Sequence, residues 1–114
     1  MKLTEIAQFT TKVAEMAAFY KRLLGSEPVA ESEDMVIFMN GAVKIFIHRT
    51  YVPGENDLPP ENHHAYTVAN VDIACEKLSV EGMTIETPPE NYYWGRSAYL
   101  RDPDGNLIEL TQES

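Results

Sequence analysis

Two kinds of hydrophobic spacing take turns along this chain. One alternates every second residue and marks strands; the other recurs at three and four residues and marks helices. Residues 4–10, Thr-Glu-Ile-Ala-Gln-Phe-Thr, alternate and put Glu5, Ala7 and Phe9 on one face. Met16, Phe19, Tyr20 and Leu23 then recur at helical spacing. They predict a helix from about Val13 to Leu24, with Gly25 as its stop. Met35–Met39 is a short apolar strand, and Asn40-Gly41 is a hairpin turn. The return strand, Val43–Arg49, sets Lys44, Phe46 and His48 on one face and Val43, Ile45 and Ile47 on the other. A further short strand fits near Pro28–Glu31. Residues 51–62, with three prolines and a glycine, form a linker without regular structure.

The pattern then restarts. His63–Val68 reads as a strand, and Asp72 as the N-cap of a helix to about Glu81 that turns Ala74, Cys75 and Leu78 inward and ends at Gly82. Met83–Glu86 is a strand that the Pro88-Pro89 pair should break. Ser97–Arg101 and Leu107–Thr111 make a closing hairpin around Asp102-Pro103-Asp104-Gly105, which has the residue types a tight turn needs. In the last strand Ile108 and Leu110 share an apolar face, while Glu109 faces the other way with Leu107 and Thr111. The two halves repeat one order of elements. The shift that lays Val13 on Val71 also lays Ala7 on Ala65 and Glu5 on His63. A unit of this size cannot bury its sheet face alone, so the expected fold is α+β. Module one is about 1–50, the linker 51–62 and module two 63–114, with a curved mixed sheet around a cleft.

Composition narrows the function classes. A length of 114 residues, 44% hydrophobic and 24% charged, suits one compact domain. A net charge of −9 disfavours nucleic acid and anionic membrane surfaces, which need clustered Lys and Arg. It is compatible with a bound metal cation or a cationic ligand. No apolar run reaches the roughly 20 residues of a membrane helix, and the first residues lack the apolar core of a signal peptide. The single cysteine, Cys75, excludes an internal disulfide and fits a reducing cytoplasm.

Three stretches carry a family resemblance: Phe19-Tyr20-Lys-Arg-Leu-Leu-Gly25, Asn62-His-His-Ala-Tyr-Thr-Val-Ala-Asn-Val-Asp72, and Tyr99-Leu-Arg-Asp-Pro-Asp-Gly-Asn-Leu-Ile-Glu-Leu110. Together they resemble the glyoxalase / bleomycin resistance / extradiol dioxygenase superfamily, the vicinal oxygen chelate proteins. The resemblance covers nearly the whole chain. It implies paired βαβββ modules, a homodimer, a small-molecule ligand, and one divalent metal held by up to four side chains. Position by position, the His that opens the second module matches His63 and the Glu of the closing strand matches Glu109. The first strand, where His or Gln is usual, offers Glu5. The fourth place falls on His48 or Phe46, which share a face; His48 completes the set and Phe46 leaves it one ligand short.

Glu5, His48, His63 and Glu109 would suit Zn, Ni, Co, Mn or Fe in the +2 state, with Glu5 or Glu109 free to leave the ion and move a proton. The bland alternative is four polar residues at strand ends. His63 and His64 are neighbours on a strand, so only one can face the cleft, and register favours His63. Tyr92, Tyr93, Trp94 and Arg96 either wall a substrate pocket, with Arg96 gripping an anion, or seal a core edge or dimer interface. Cys75 has no activating pattern beside it and reads as a buried helix residue. Two functions follow. One is a glyoxalase-type, metal-dependent lyase or isomerase acting on a small oxygenated substrate. The other is a metal-free binding protein of the bleomycin-resistance type, its aromatics holding a cationic ligand. A dioxygenase built on His48, His63 and Glu109 is a third.

Overall fold

The computed structural model describes residues 1–112. Its elements run β1 (Lys2–Thr10), α1 (Val13–Leu24), β2 (Ala30–Glu31), β3 (Met35–Asn40), β4 (Val43–Arg49), β5 (His63–Val68), α2 (Val71–Val80), β6 (Ile85–Tyr92), β7 (Gly95–Arg101) and β8 (Leu107–Gln112). Helices on mixed β-sheet give the α+β class that the alternating periods predict. The chain divides into two compact units: an N-terminal unit, Glu5–Asn62, and a C-terminal unit that joins Met1–Thr4 to the chain from His63 onward.

In the N-terminal unit the strand order is β2-β3-β4-β1. β2–β3 and β3–β4 are antiparallel, and β4–β1 is parallel. The β3–β4 hairpin turns at Asn40-Gly41, where Gly41 takes φ +60, a conformation that costs glycine little. Alternation sends Val36, Phe38, Ile45 and Ile47 to one face, where they bury Ala17 of α1. On the other face β1 and β4 stand in register: Glu5 opposite Lys44, Ala7 opposite Phe46, Phe9 opposite His48.

The C-terminal unit repeats the plan. Its order is β5-β8-β7-β6, with β5–β8 parallel and the other two pairs antiparallel. Val68, Ala98, Leu100 and Leu110 pack against Val71 and Cys75 of α2. Each unit is therefore β-α-β-β-β, with its first and last strands parallel neighbours. The aligned valines Val13 and Val71 each open a helix and are buried.

Several boundaries differ from expectation. β1 begins earlier, at Lys2. The α2 cap is Asn70 rather than Asp72: its side-chain oxygen accepts from the Ile73 amide at 3.0 Å, and Asp72 lies in the first turn. The largest difference is β6, which runs straight through Pro88-Pro89. β6 is the outer strand of its sheet, and its register with β7 shifts between Thr87 and Glu90, where the two prolines fall. A missing N–H costs no ladder bond at such a place.

The β7–β8 turn is held by Asp102. Its Oδ1 accepts from the amides of Asp104 and Asn106 at 3.0 and 2.8 Å, and its Oδ2 from the Asn106 side chain at 2.9 Å. The Asn106 side chain first, then the backbone amides, hold the Asp102 carboxyl below its usual value of 3.8. A lowered folded-state pKa stabilises above the unfolded value, and this contribution is lost as pH falls through the folded one. The stability gap between wild type and Asp102→Ala in urea denaturation is therefore expected to be full near neutrality and to shrink below about pH 3.8.

Candidate functional site

Glu109 lies in the middle of β8 with only 5% of its surface exposed. A buried carboxylate needs partners, since desolvating it alone costs several kcal/mol or more (about the range for unpaired buried charge). It has one on each oxygen. Oε1 stands 3.0 Å from Nε2 of His63, and Oε2 accepts from the Ser97 hydroxyl at 2.8 Å. Strand register produces both contacts. β5 runs parallel to β8 with His63 opposite Leu107, so Glu109 lies two residues beyond and on the same face. β7 returns antiparallel with Tyr99 opposite Glu109 and Ser97 opposite Thr111.

An aromatic series extends from the pair. The His63 ring meets Tyr99 edge-on, with centroids 6.1 Å apart. Tyr99 meets Tyr92 edge-on at 6.3 Å, and Tyr92 stacks flat on Trp94 at 4.5 Å and 1°. Burial first, then the neighbouring Glu90 carboxylate, pushes the Tyr92 phenol up from its ordinary value of 10.0. The Trp94 indole N–H donates to Ser97 Oγ at 3.1 Å. Of the two adjacent histidines, His63 faces Glu109 and His64 is exposed.

The remaining candidates divide. Glu5 follows Thr4 along β1 and, in the N-terminal unit, has Lys44 Nζ at 3.8 Å. His48 does not take the fourth ligand's place. It stands opposite Phe9, four residues along β4 from Lys44, which is opposite Glu5. At a strand rise of about 3.3 Å that is about 13 Å from the Glu5 row, too far to share one ion. His48 instead donates from Nδ1 to the Arg49 carbonyl at 2.7 Å and packs among Phe9, Phe46 and Tyr51. The repeat identifies the equivalent place. Glu109 is two residues past the partner of His63; two residues past the partner of Glu5 is Phe46. Phe46 therefore holds in the N-terminal unit the position that Glu109 holds in the C-terminal unit.

Arg96 also departs from expectation as an anion clamp. Its Nε and Nη2 donate to the two oxygens of Asp72 at 2.8 and 2.9 Å, and its Nη1 to Asn91 at 3.0 Å. It ties the β6–β7 hairpin to the first turn of α2, on the face opposite Glu109. The Arg96 hydrogen bonds hold the Asp72 carboxyl below its ordinary value of 3.8. Tyr93, at the tip of the hairpin, is 97% exposed and touches Trp94 edge-on. Ser97 is fully buried and central, yet nothing in its own neighbourhood of sequence marks it. The usable signal was hairpin register, which places Ser97 beside Glu109 once Asp102–Gly105 is fixed as the turn.

No helix among the described residues is long and apolar enough to cross a membrane. Arg96→Ala should lower the midpoint of chemical denaturation and leave the affinity for any ligand of the Glu109 face within about twofold, an ordinary outcome for a residue off the site. Loss of ligand binding in a folded Arg96→Ala protein would restore it to the site.

Residues 2–110 match the family described as the Glyoxalase/Bleomycin resistance protein/Dioxygenase superfamily. Virulence protein STM3117 of Salmonella typhimurium is 26% identical over 120 residues, covering 97% of this chain and 83% of that protein. Among solved structures, a hypothetical protein from Bacillus halodurans C-125 aligns with a TM-score of 0.76 at 17% identity, over 99% of this chain and 94% of the other. A methylmalonyl-CoA epimerase of Streptomyces coelicolor, in complex with 2-nitronate-propionyl-CoA, aligns at 0.69 and 18%, over 100% and 95%. At those identities the structural likeness establishes the fold alone. The match over nearly the whole length establishes the family: this chain belongs to the glyoxalase/bleomycin resistance protein/dioxygenase superfamily.

Proposed function

We propose that this chain is a glyoxalase-type, metal-dependent lyase or isomerase acting on a small oxygenated substrate. The observation that carries the reading is the His63–Glu109 pair, buried on a sheet face and joined to an aromatic series. Nε2 of His63 and Oε1 of Glu109 lie 3.0 Å apart, near enough for both to hold one ion. Their chemistry, one imidazole nitrogen and one carboxylate oxygen, suits Zn, Ni, Co, Mn or Fe in the +2 state. By the family resemblance Glu5, which the repeat aligns with His63, would be a further ligand. It follows Thr4, whose hydroxyl lies 2.7 Å from that of Thr67 on β5. Two carboxylates and an imidazole neutralise a divalent cation.

When bound, such an ion polarises a substrate carbonyl or hydroxyl oxygen. The chain's own residues do the rest. His63 and Glu109 would hold that ion on the sheet face. Ser97 holds one oxygen of Glu109, and Glu5 or Glu109 would take a proton from the carbon next to a carbonyl and return it. Tyr92 and Trp94 offer a flat apolar wall, with Tyr93 at its outer lip. We extend the reading to a homodimer, to be checked by light scattering.

Purified without a histidine tag, the wild type should bind close to one divalent metal per chain in a titration. His63→Ala should weaken that binding by about a hundredfold or more, as loss of an inner ligand exceeds the 10–100-fold cost of an outer one. Phe46→Glu should tighten it by about tenfold, because it supplies the missing carboxylate. A wild type with no stoichiometric metal, as purified or after titration, overturns the proposal.

One observation favours a second reading. Phe46 stands where a ligand would complete the set, and Tyr92 stacks on Trp94. A metal-free protein binding a cationic ligand against these rings would use the same face without chemistry. Trp94 emission should then respond to a panel of cations in metal-free buffer, and a silent panel rules this reading out.

A further inference from the structure

We infer that Ser97 is a positioning residue for Glu109, and that through Ser97 the Trp94 indole ties the β6–β7 turn to the placement of that carboxylate. The inference rests on Glu109 being the site carboxylate of the proposed function.

Hydrogen-bond accounting carries it. An indole N–H can only donate and an ionised carboxylate can only accept. Ser97 Oγ lies 3.1 Å from the first, 2.8 Å from the second and 3.2 Å from Thr111 Oγ1. Its single proton goes to Glu109. Its two acceptor positions then take the Trp94 N–H and the Thr111 hydroxyl. Ser97 is 0% exposed, so every capacity of this oxygen is used inside the protein. An indole N–H cannot accept and an ionised carboxylate cannot donate, so neither of those two bonds can reverse. One consequence is geometric: Oε2 of Glu109 is committed to Ser97, which leaves Oε1 turned to His63.

The other end of the chain of bonds is open. Trp94 sits in the hairpin turn with 43% of its surface exposed and one ring face stacked on Tyr92. A ligand that packs on the exposed part of this indole moves the N–H that feeds Ser97. A change at Glu109 travels the other way. The turn is thus coupled to the site by two hydrogen bonds, and Trp94 is the chain's single tryptophan. It gives one indole N–H resonance and one source of indole emission.

The test uses nitrogen-15 correlated NMR on the whole protein. In metal-free buffer, Glu109→Gln should move the indole N–H resonance by several linewidths. The same substitution in a Ser97→Ala background should not move it. Ser97→Ala alone should speed exchange of the indole proton with solvent by about tenfold, since a buried bond that protected it is gone. Ser97→Thr, which keeps the hydroxyl, should restore protection. Added zinc should move the wild-type resonance and leave that of Ser97→Ala in place. An indole resonance that ignores Glu109→Gln, or that responds equally with and without the Ser97 hydroxyl, overturns the inference. Should Glu109→Gln fail to fold, unchanged indole exchange in Ser97→Ala overturns it just as well. Failures are separable. Stoichiometric zinc with an unmoved indole sinks the coupling and spares the proposed function; no zinc with a Ser97-dependent response to Glu109→Gln does the reverse.

Discussion

A carboxylate kept almost wholly out of water sets the terms for the C-terminal unit. Glu109 sits in the sheet among groups it did not need to meet for the sake of stability; an apolar residue there would cost less. Its retention requires a partner on each oxygen, and those partners come from different strands. The parallel pairing of β5 with β8 brings His63, and the antiparallel pairing of β7 with β8 brings Ser97. The Asp102 turn fixes the second register, and α2 covers the face that Ala98, Leu100 and Leu110 present to it. One face of the sheet serves packing, and the other is thereby free to carry chemistry.

The repeat makes the asymmetry of the site visible. Both units use the same order of elements and the same parallel first-to-last pairing, so each offers equivalent positions on its polar face. The residues filling them differ. Glu5 stands where the other unit has His63, and Phe46 stands where it has Glu109. The repeated scaffold therefore carries different side chains at equivalent places, with the imidazole and the buried carboxylate in one unit. Lys44 beside Glu5 adds a protein cation to the half that lacks the second carboxylate.

Much of this was legible in the chain itself. Period and punctuation placed α1, β4 and β5 to the residue, because Gly25, Asn40-Gly41 and the 51–62 linker are strong local signals. Face assignment in β8 separated Glu109 from Ile108 and Leu110. Strand periodicity could not say which of Phe46 and His48 stands level with Glu5, since both share a face and only the cross-strand register of β1 on β4 decides. The tie of Arg96 to Asp72 is hidden for a similar reason: the two are 24 residues apart in sequence. The Pro88-Pro89 pair was a sound breaker signal overridden by position in the sheet, because an outer strand can do without those amides. Ser97 carries no signal alone and meets Glu109 only through hairpin pairing.

That outer strand has a further consequence. An unpaired sheet margin is a template on which a second molecule can add a strand, the usual first step towards fibrils or swapped assemblies. At Pro88 and Pro89, β6 lacks the amide hydrogens such addition would need, and its shifted register breaks the regular ladder on either side of them. Neighbouring molecules cannot zip onto this margin through a continuous run of backbone bonds. The margin of this sheet thus carries its own guard against strand addition in its two prolines.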